Sequence, residues 1–162
     1  MFHALKFLCL PTFVLAVLVS QAQGVEMLFG PRDGADGPVK VVANEVIFNQ
    51  QDGVVEFVGD VSVTQGNIIL KSDRAEAFSN KDDASKIDLI LVSSGVYLET
   101  GQGTASANSG EYDLIEGIIK LVGEVTIKAG EVEFSAGGLH YDVKSGLSRL
   151  IDNASALVKG EN

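Results

Sequence analysis

The chain has 162 residues, with 12 basic against 22 acidic side chains, a formal charge of −10, one cysteine and two histidines. That length suits one ordinary domain. The acidic balance argues against a nucleic-acid binder, whose footprint is basic, and against simple docking on an anionic membrane surface; it suits solubility in an exported protein.

At the start, Lys6 precedes an apolar run from Phe7 to Val19, and Ser20-Gln21-Ala22 carries small residues at the two positions a signal peptidase reads. This predicts a secretory signal peptide over residues 1–22, cleaved after Ala22. The rival is an uncleaved membrane anchor, but the run has 13 residues, against the ~18 or more that span a bilayer. Cys9 and Lys6 leave with the signal, so the exported chain has no cysteine to form a disulfide and keeps 11 basic against 22 acidic residues. Residues 23–38 read as a leader without periodicity. Its stretch from Gly30 to Pro38 is rich in Gly, Pro and Asp and is expected to be flexible. Order is expected over 39–158 as one domain, with a polar tail at 159–162.

Val39-Lys40-Val41 alternates, Asn44 to Phe48 gives a further strand piece, and Asn49 to Gly53 a turn. From Val54 to Lys71, Val55, Phe57, Val61 and Val63 fall on one parity and Glu56, Asp60, Ser62 and Thr64 on the other. A period of two marks strands with one buried face. Gly59 interrupts the pattern without shifting its phase, and Gln65-Gly66-Asn67 is a tight turn before Ile68 and Leu70 resume it. Ser72 to Phe78 reads as another strand and Ser79 to Ser85 as a polar loop. The strand from Ile87 to Leu91 is apolar on nearly both sides, and Ser93-Ser94-Gly95 turns the chain into Val96-Tyr97-Leu98. Thr104 to Asn108 is a small-residue strand leading to Glu111-Tyr112-Asp113. Leu139 to Val143 and then Leu147 to Val158 continue as weaker strands. No amphipathic helix of useful length occurs, and no proline follows Pro38 to block a continuous sheet.

The central stretch recurs 64 positions later: Gly53, Val58-Gly59, Val61 and Gly66 match Gly117, Val122-Gly123, Val125 and Gly130, and Ala43-Asn44 matches Ala107-Asn108. A fainter echo lies 29 positions further on, where Tyr112-Asp113, Gly117 and Leu121 return as Tyr141-Asp142, Gly146 and Leu150. Repeated strand-turn units mark a stacked all-β architecture, because one unit cannot cover its own apolar face.

Groups for chemistry are sparse. His140 is the one histidine of the exported chain and sits in an alternating strand without a partner to tune it. Asp82-Asp83 lacks the glycine and glutamate of a calcium loop. Gly101-Gln102-Gly103 has no third glycine or following helix and reads as a turn. No metal ligand set, cofactor motif or catalytic residue is expected. What stands out is an apolar face: Val39, Val41, Phe48, Val55, Phe57, Val61, Val63, Ile68, Leu70, Ile119, Leu121, Val125, Ile127, Val132, Phe134 and Tyr141 are expected to line one side of a long sheet. Periodicity alone leaves two readings open, a closed core filled by itself or a groove that holds something apolar.

Gly53 to Gly66 and Gly117 to Gly130, with Glu111-Tyr112-Asp113, resemble the signature of the LptA/OstA-like family of lipopolysaccharide-transport proteins. The resemblance covers Pro38 to about Leu150. It implies a single twisted antiparallel β-jellyroll, shaped as an open V with an apolar interior and unpaired end strands. It implies a periplasmic carrier that binds lipid A acyl chains of lipopolysaccharide along the sixteen residues above. The same resemblance implies head-to-tail self-association, and LptC-like inner-membrane and LptD-like outer-membrane partners. Three alternatives stay open: a membrane-anchored LptC-like member, a polymerising β-solenoid without ligand, and a polysaccharide-active β-helix enzyme, for which clustered carboxylates or aromatics are missing.

Overall fold

The computed structural model describes residues 25–29, 37–49, 51–83 and 85–158. The expected signal peptide and its cleavage site, the anchor alternative and the polar tail lie outside them. Eleven strands follow in order: β1 Val25–Phe29, β2 Val39–Ala43, β3 Glu45–Asn49, β4 Val54–Gln65, β5 Ile68–Ser79, β6 Ile87–Thr100, β7 Gly103–Asp113, β8 Ile118–Ala129, β9 Val132–Asp142, β10 Ser148–Ile151 and β11 Ser155–Val158. No helix occurs among the described residues. All pairs are antiparallel. β1 joins β2, β2 and β3 both run along β4, the meander continues to β9, and β10 and β11 both run along β9. The sheet is open and does not close on itself.

Each long strand is bent in the middle. Register shifts fall at Val58/Val61, Lys71/Arg74, Ser93/Val96, Ser106/Ser109 and Val122/Val125. At three of these shifts, in β4, β6 and β8, two neighbouring residues have positive φ, namely Gly59-Asp60, Ser94-Gly95 and Gly123-Glu124; a fourth such pair, Asp152-Asn153, lies between β10 and β11. An inserted left-handed pair bulges and folds the strand while preserving which side chains point inward, because two residues leave the parity unchanged. The fold line divides the sheet into two arms. Arm I holds β2, β11 and the halves of β4 to β9 around residues 61–72, 96–107 and 125–136. Arm II holds β3, β10 and the halves around 54–58, 74–79, 87–93, 109–122 and 138–142.

The 64-residue repeat is the machinery of this fold line. Asn44 donates from its backbone N–H to Gly59 O at 2.9 Å and from Nδ2 to Asp60 Oδ2 at 2.9 Å. A Cβ on Gly59 would lie 2.8 Å from Asn44 Nδ2, and one on Gly123 would lie 2.8 Å from Asn108 Nδ2. The asparagine therefore lies over the glycine at both copies of the motif. The 29-residue repeat has another role. Tyr112 and Tyr141 point inward and are buried, while Asp113 and Asp142 each accept two backbone N–H bonds that shape the next turn of arm II.

With the sheet folded, one continuous core forms between the arms. Val41, Val63, Leu70, Leu98 and Ala105 are register neighbours across arm I; Phe57, Ala75, Val92, Gly110, Leu121 and Leu139 are neighbours across arm II. Apart from the glycine these are all buried hydrophobics of the core.

Four expectations change. Residues 23–38 were expected to be an irregular leader, yet Val25–Phe29 forms β1, paired from Val25↔Ala43 to Phe29↔Val39. Five residues can gain order from backbone pairing with an exposed strand edge, with little pattern of their own. Ser93-Ser94-Gly95 does not reverse the chain; it is the bend inside β6, since turn-forming residues with positive φ also build bulges. Ile68 to Ser79 is one strand rather than two. Phe48 shares its face with Val55, its register partner, but is 57% exposed because β3 is an edge strand and, among the described residues, no further strand covers that end of the interior.

The bend makes a paired prediction. Gly95 and Gly123 have nearly the same φ, +82° and +85°, but a Cβ at Gly95 meets nothing within 4 Å. Gly123→Ala should therefore lose stability to urea beyond Gly95→Ala by about 1 kcal/mol or more, the added loss coming from Asn108. Equal losses would mean that the asparagine contact does not hold the bend.

Candidate apolar site between the arms

The interior is not uniform along the stack. Of the sixteen expected lining residues, Val39, Val41, Val55, Phe57, Val61, Val63, Ile68, Leu70, Ile119, Leu121, Val125 and Tyr141 are buried and belong to the core. From β2 to the middle of β8 this core is packed against itself. Ile127, Val132 and Phe134 are only half-buried, toward the C-terminal end of arm I. Phe48 stands exposed at the N-terminal end.

The change has a simple cause. The inward row of arm I runs Leu98, Ala105, Ile127, Phe134, Ala156. Beyond β9 the sheet has only the four-residue strands β10 and β11, so the last rung has too few side chains to fill the gap. A cavity of about 310 Å³ opens there, lined by both arms: Leu98, Thr100, Ala105, Ile127, Ala129 and Phe134 from arm I, Leu139, Tyr141, Ser148 and Leu150 from arm II, and the turn residues Gln102 to Thr104. Its walls are mostly apolar and it bears no charged side chain. Such a space accepts hydrocarbon; its polar side chains are the hydroxyls of Thr100, Thr104, Tyr141 and Ser148 and the amide of Gln102, with no carboxylate, histidine or cysteine in its lining.

The sequence reading found Ile127, Phe134 and Tyr141 of this wall but not Leu98, Leu139 or Leu150. Leu98 stands in the segment Val96-Tyr97-Leu98, to which the sequence assigned no facing. What hid it was the phase of β6, where Ile87, Ile90 and Val92 are buried and Leu89 and Leu91 only partly so.

The outer face carries the charge. Glu56 pairs with Arg74 at 2.9 Å and Glu111 with Lys120 at 2.6 Å, both across neighbouring strands and both exposed enough to contribute little to stability. The Glu111 hydrogen bond raises the Lys120 pKa above its ordinary value. His140 lies in the same outer row, opposite Lys120 on one side and Arg149 on the other. Asp142 is held below the usual carboxylate range chiefly by the backbone N–H of Ser145, at the turn of arm II. Charge thus stays outside and the space between the arms stays apolar.

Known proteins share this architecture. A family described as LptA/(LptD N-terminal domain) LPS transport protein matches residues 40–147. The lipopolysaccharide export system protein LptA of Haemophilus influenzae is 24% identical over 145 residues, covering 86% of this chain and 80% of its own. The crystal structure of LptH, the LptA-homologous periplasmic component of the lipopolysaccharide transport device of Pseudomonas aeruginosa, superposes with a TM-score of 0.68 at 15% identity; the match covers 80% of this chain and all of that one. The family match spans the bent sheet from β2 to the end of the β9–β10 turn, and on it this chain belongs to the LptA/(LptD N-terminal domain) family of lipopolysaccharide-transport proteins.

Proposed function

We propose that this protein is a periplasmic carrier that takes lipid A acyl chains of lipopolysaccharide between its arms and hands the lipid on toward the outer membrane. The observation that carries the reading is the uncharged apolar cavity at the C-terminal end, open to both arms. At about 310 Å³ it is at the small end of ligand sites, which run from about 300 to 1,000 Å³. Burial of methylenes supplies the affinity, about 0.8 kcal/mol for each. The walls hold no charged anchor, so a bound lipid is free to slide, as a conduit requires. The sugars and phosphates stay in water outside the slit, and no catalytic step is involved.

The end strands supply the partners. At the N-terminal end β1 pairs with β2, and among the described residues β3 has no strand on its outer edge, with Ile47 and Phe48 exposed. At the other end β10 and β11 are edges, with Leu157 exposed. Strand addition from one end to the other joins copies head to tail, a heterologous contact that extends into rods. LptC-like and LptD-like domains would dock on the same edges at the inner and outer membranes.

A ligand-free polymerising module is the second reading, and the self-packed interior from Val41 to Leu121 favours it. Binding decides between them. Native mass spectrometry should show lipid A or lipopolysaccharide on the wild type. Phe134→Asp should lower binding at least about tenfold with circular dichroism unchanged, since a charge in an apolar site costs several kcal/mol, on the order of 3 or more. Glu56→Gln on the outer face should leave binding intact, and Phe57→Asp in the packed core should unfold the chain. A wild type that takes no lipid at any concentration would leave only the structural module.

Association gives a separate test. By light scattering, mass should climb with concentration in the wild type, while Phe48→Asp should hold the protein as a monomer that still binds lipid. A closed dimer insensitive to Phe48→Asp would contradict end-to-end pairing.

A further inference from the structure

One polar chain crosses the otherwise apolar interior. Tyr112, on β7 in arm II, donates its hydroxyl proton to Gln65 Oε1, at the last position of β4 in arm I. Gln65 Nε2 in turn donates to the carbonyl of Gly37, ahead of β2, at 3.1 Å. Both side chains are buried, and Gln65 is one of two buried polar residues among the described residues, with Ser72. The bond joins the outer ends of the two arms, opposite the fold line, and so closes the slit between them.

The repeat provides an internal comparison. Tyr141 stands to β9 as Tyr112 stands to β7, and Thr100 ends β6 as Gln65 ends β4. At that later rung the corresponding bond is not made. The Thr100 hydroxyl is used within its own turn, donating to Gly103 O at 3.3 Å and accepting from Gln102 N at 3.2 Å. Between Thr100 and Tyr141 lies the cavity. The interior is thus shut where the tyrosine finds a glutamine and open where it finds a threonine.

We infer that Gln65 and Tyr112 form a latch that holds the arms together and must part before acyl chains advance from the cavity into the rest of the interior. This rests on the carrier reading only for what passes; the closure itself is a property of the folded chain. Buried in apolar surroundings, the bond is stable while both partners are present. Replacing both by apolar groups of similar size removes it without leaving either member of the pair facing an unmatched polar partner, although the Gly37 carbonyl loses its bond from Gln65 Nε2.

The test separates the latch from the lipid. Cysteines at Asn67 and Glu116, two exposed turn residues on opposite arms, carry spin labels on the full chain with Cys9→Ser. Without lipid, the wild type should give one short distance. Gln65→Leu with Tyr112→Phe should add a longer population, and Tyr112→Phe alone should do so more weakly. With dispersed lipopolysaccharide, the double variant should load about three to ten times faster, the range one net hydrogen bond supplies. Thr100→Gln, which places a glutamine opposite Tyr141, should slow loading. A purely structural role predicts the opposite sign for the double variant, slower or weaker uptake with lower stability. Unchanged distances in both latch variants, or a wild type that takes up lipid with neither variant loading faster, would overturn the latch. If the arms open in the variants but no form takes lipid, the latch stands and the carrier reading falls.

Discussion

A sheet with one apolar face must bury that face against a second layer, and this chain has no other layer to offer. The bend solves that constraint. Paired left-handed residues at the register shifts of the alternate strands β4, β6 and β8 fold the sheet onto its own inner face, and the core, the cavity and the slit all follow from where that line falls. The conformation is costly for residues other than glycine, at about 1–2 kcal/mol each, and Asp60, Ser94, Glu124, Asp152 and Asn153 all adopt it. At Asp60 the Asn44 side chain returns part of that cost through its hydrogen bond. At Gly59 and Gly123 the missing side chain lets the asparagine approach.

Along the stack, side-chain size sets what the folded sheet encloses. On the arm I side of the fold line the inward residues are small, as in the pairs Val61↔Ser72, Val96↔Ala107 and Val125↔Ala136, and on the arm II side Phe57, Leu121 and Leu139 fill the space against them. Farther out, Leu70, Leu98, Ile90 and Ile119 fill the middle. At the last rung the short strands β10 and β11 leave Ile127 and Phe134 partly uncovered. Binding capacity therefore sits where the sheet runs out, and its extension inward depends on whether the arms separate.

Much of this was legible in the sequence. Period-two alternation in β4 and β8 placed Val55, Phe57, Val61, Val63, Ile119, Leu121 and Val125 on the inner face, where they are found. The Ala-Asn and Val-Gly repeats were visible as repeats, but their meaning as a bend was not, because it lies in the contact of an asparagine with a glycine 15 residues away. The phase of β6 was ambiguous because both faces are apolar there. β1 left little trace in side-chain pattern, since its order comes from backbone pairing. Phe48 had the right parity, but parity says nothing about whether a neighbouring strand covers the residue. Gln65 and Tyr112 lie 47 residues apart and three strands distant in the sheet, beyond any local signal.

The central claim is that acyl chains enter between the arms at the C-terminal end. A photoreactive phenylalanine analogue tests it directly, placed at Phe134 in the cavity wall or at Val122, exposed on the outer face of arm II. After illumination with lipopolysaccharide, the account predicts a covalent adduct through position 134 and none through position 122. Equal labelling at both positions, or labelling at 122 alone, would place the lipid on the outside of the sheet and contradict the account.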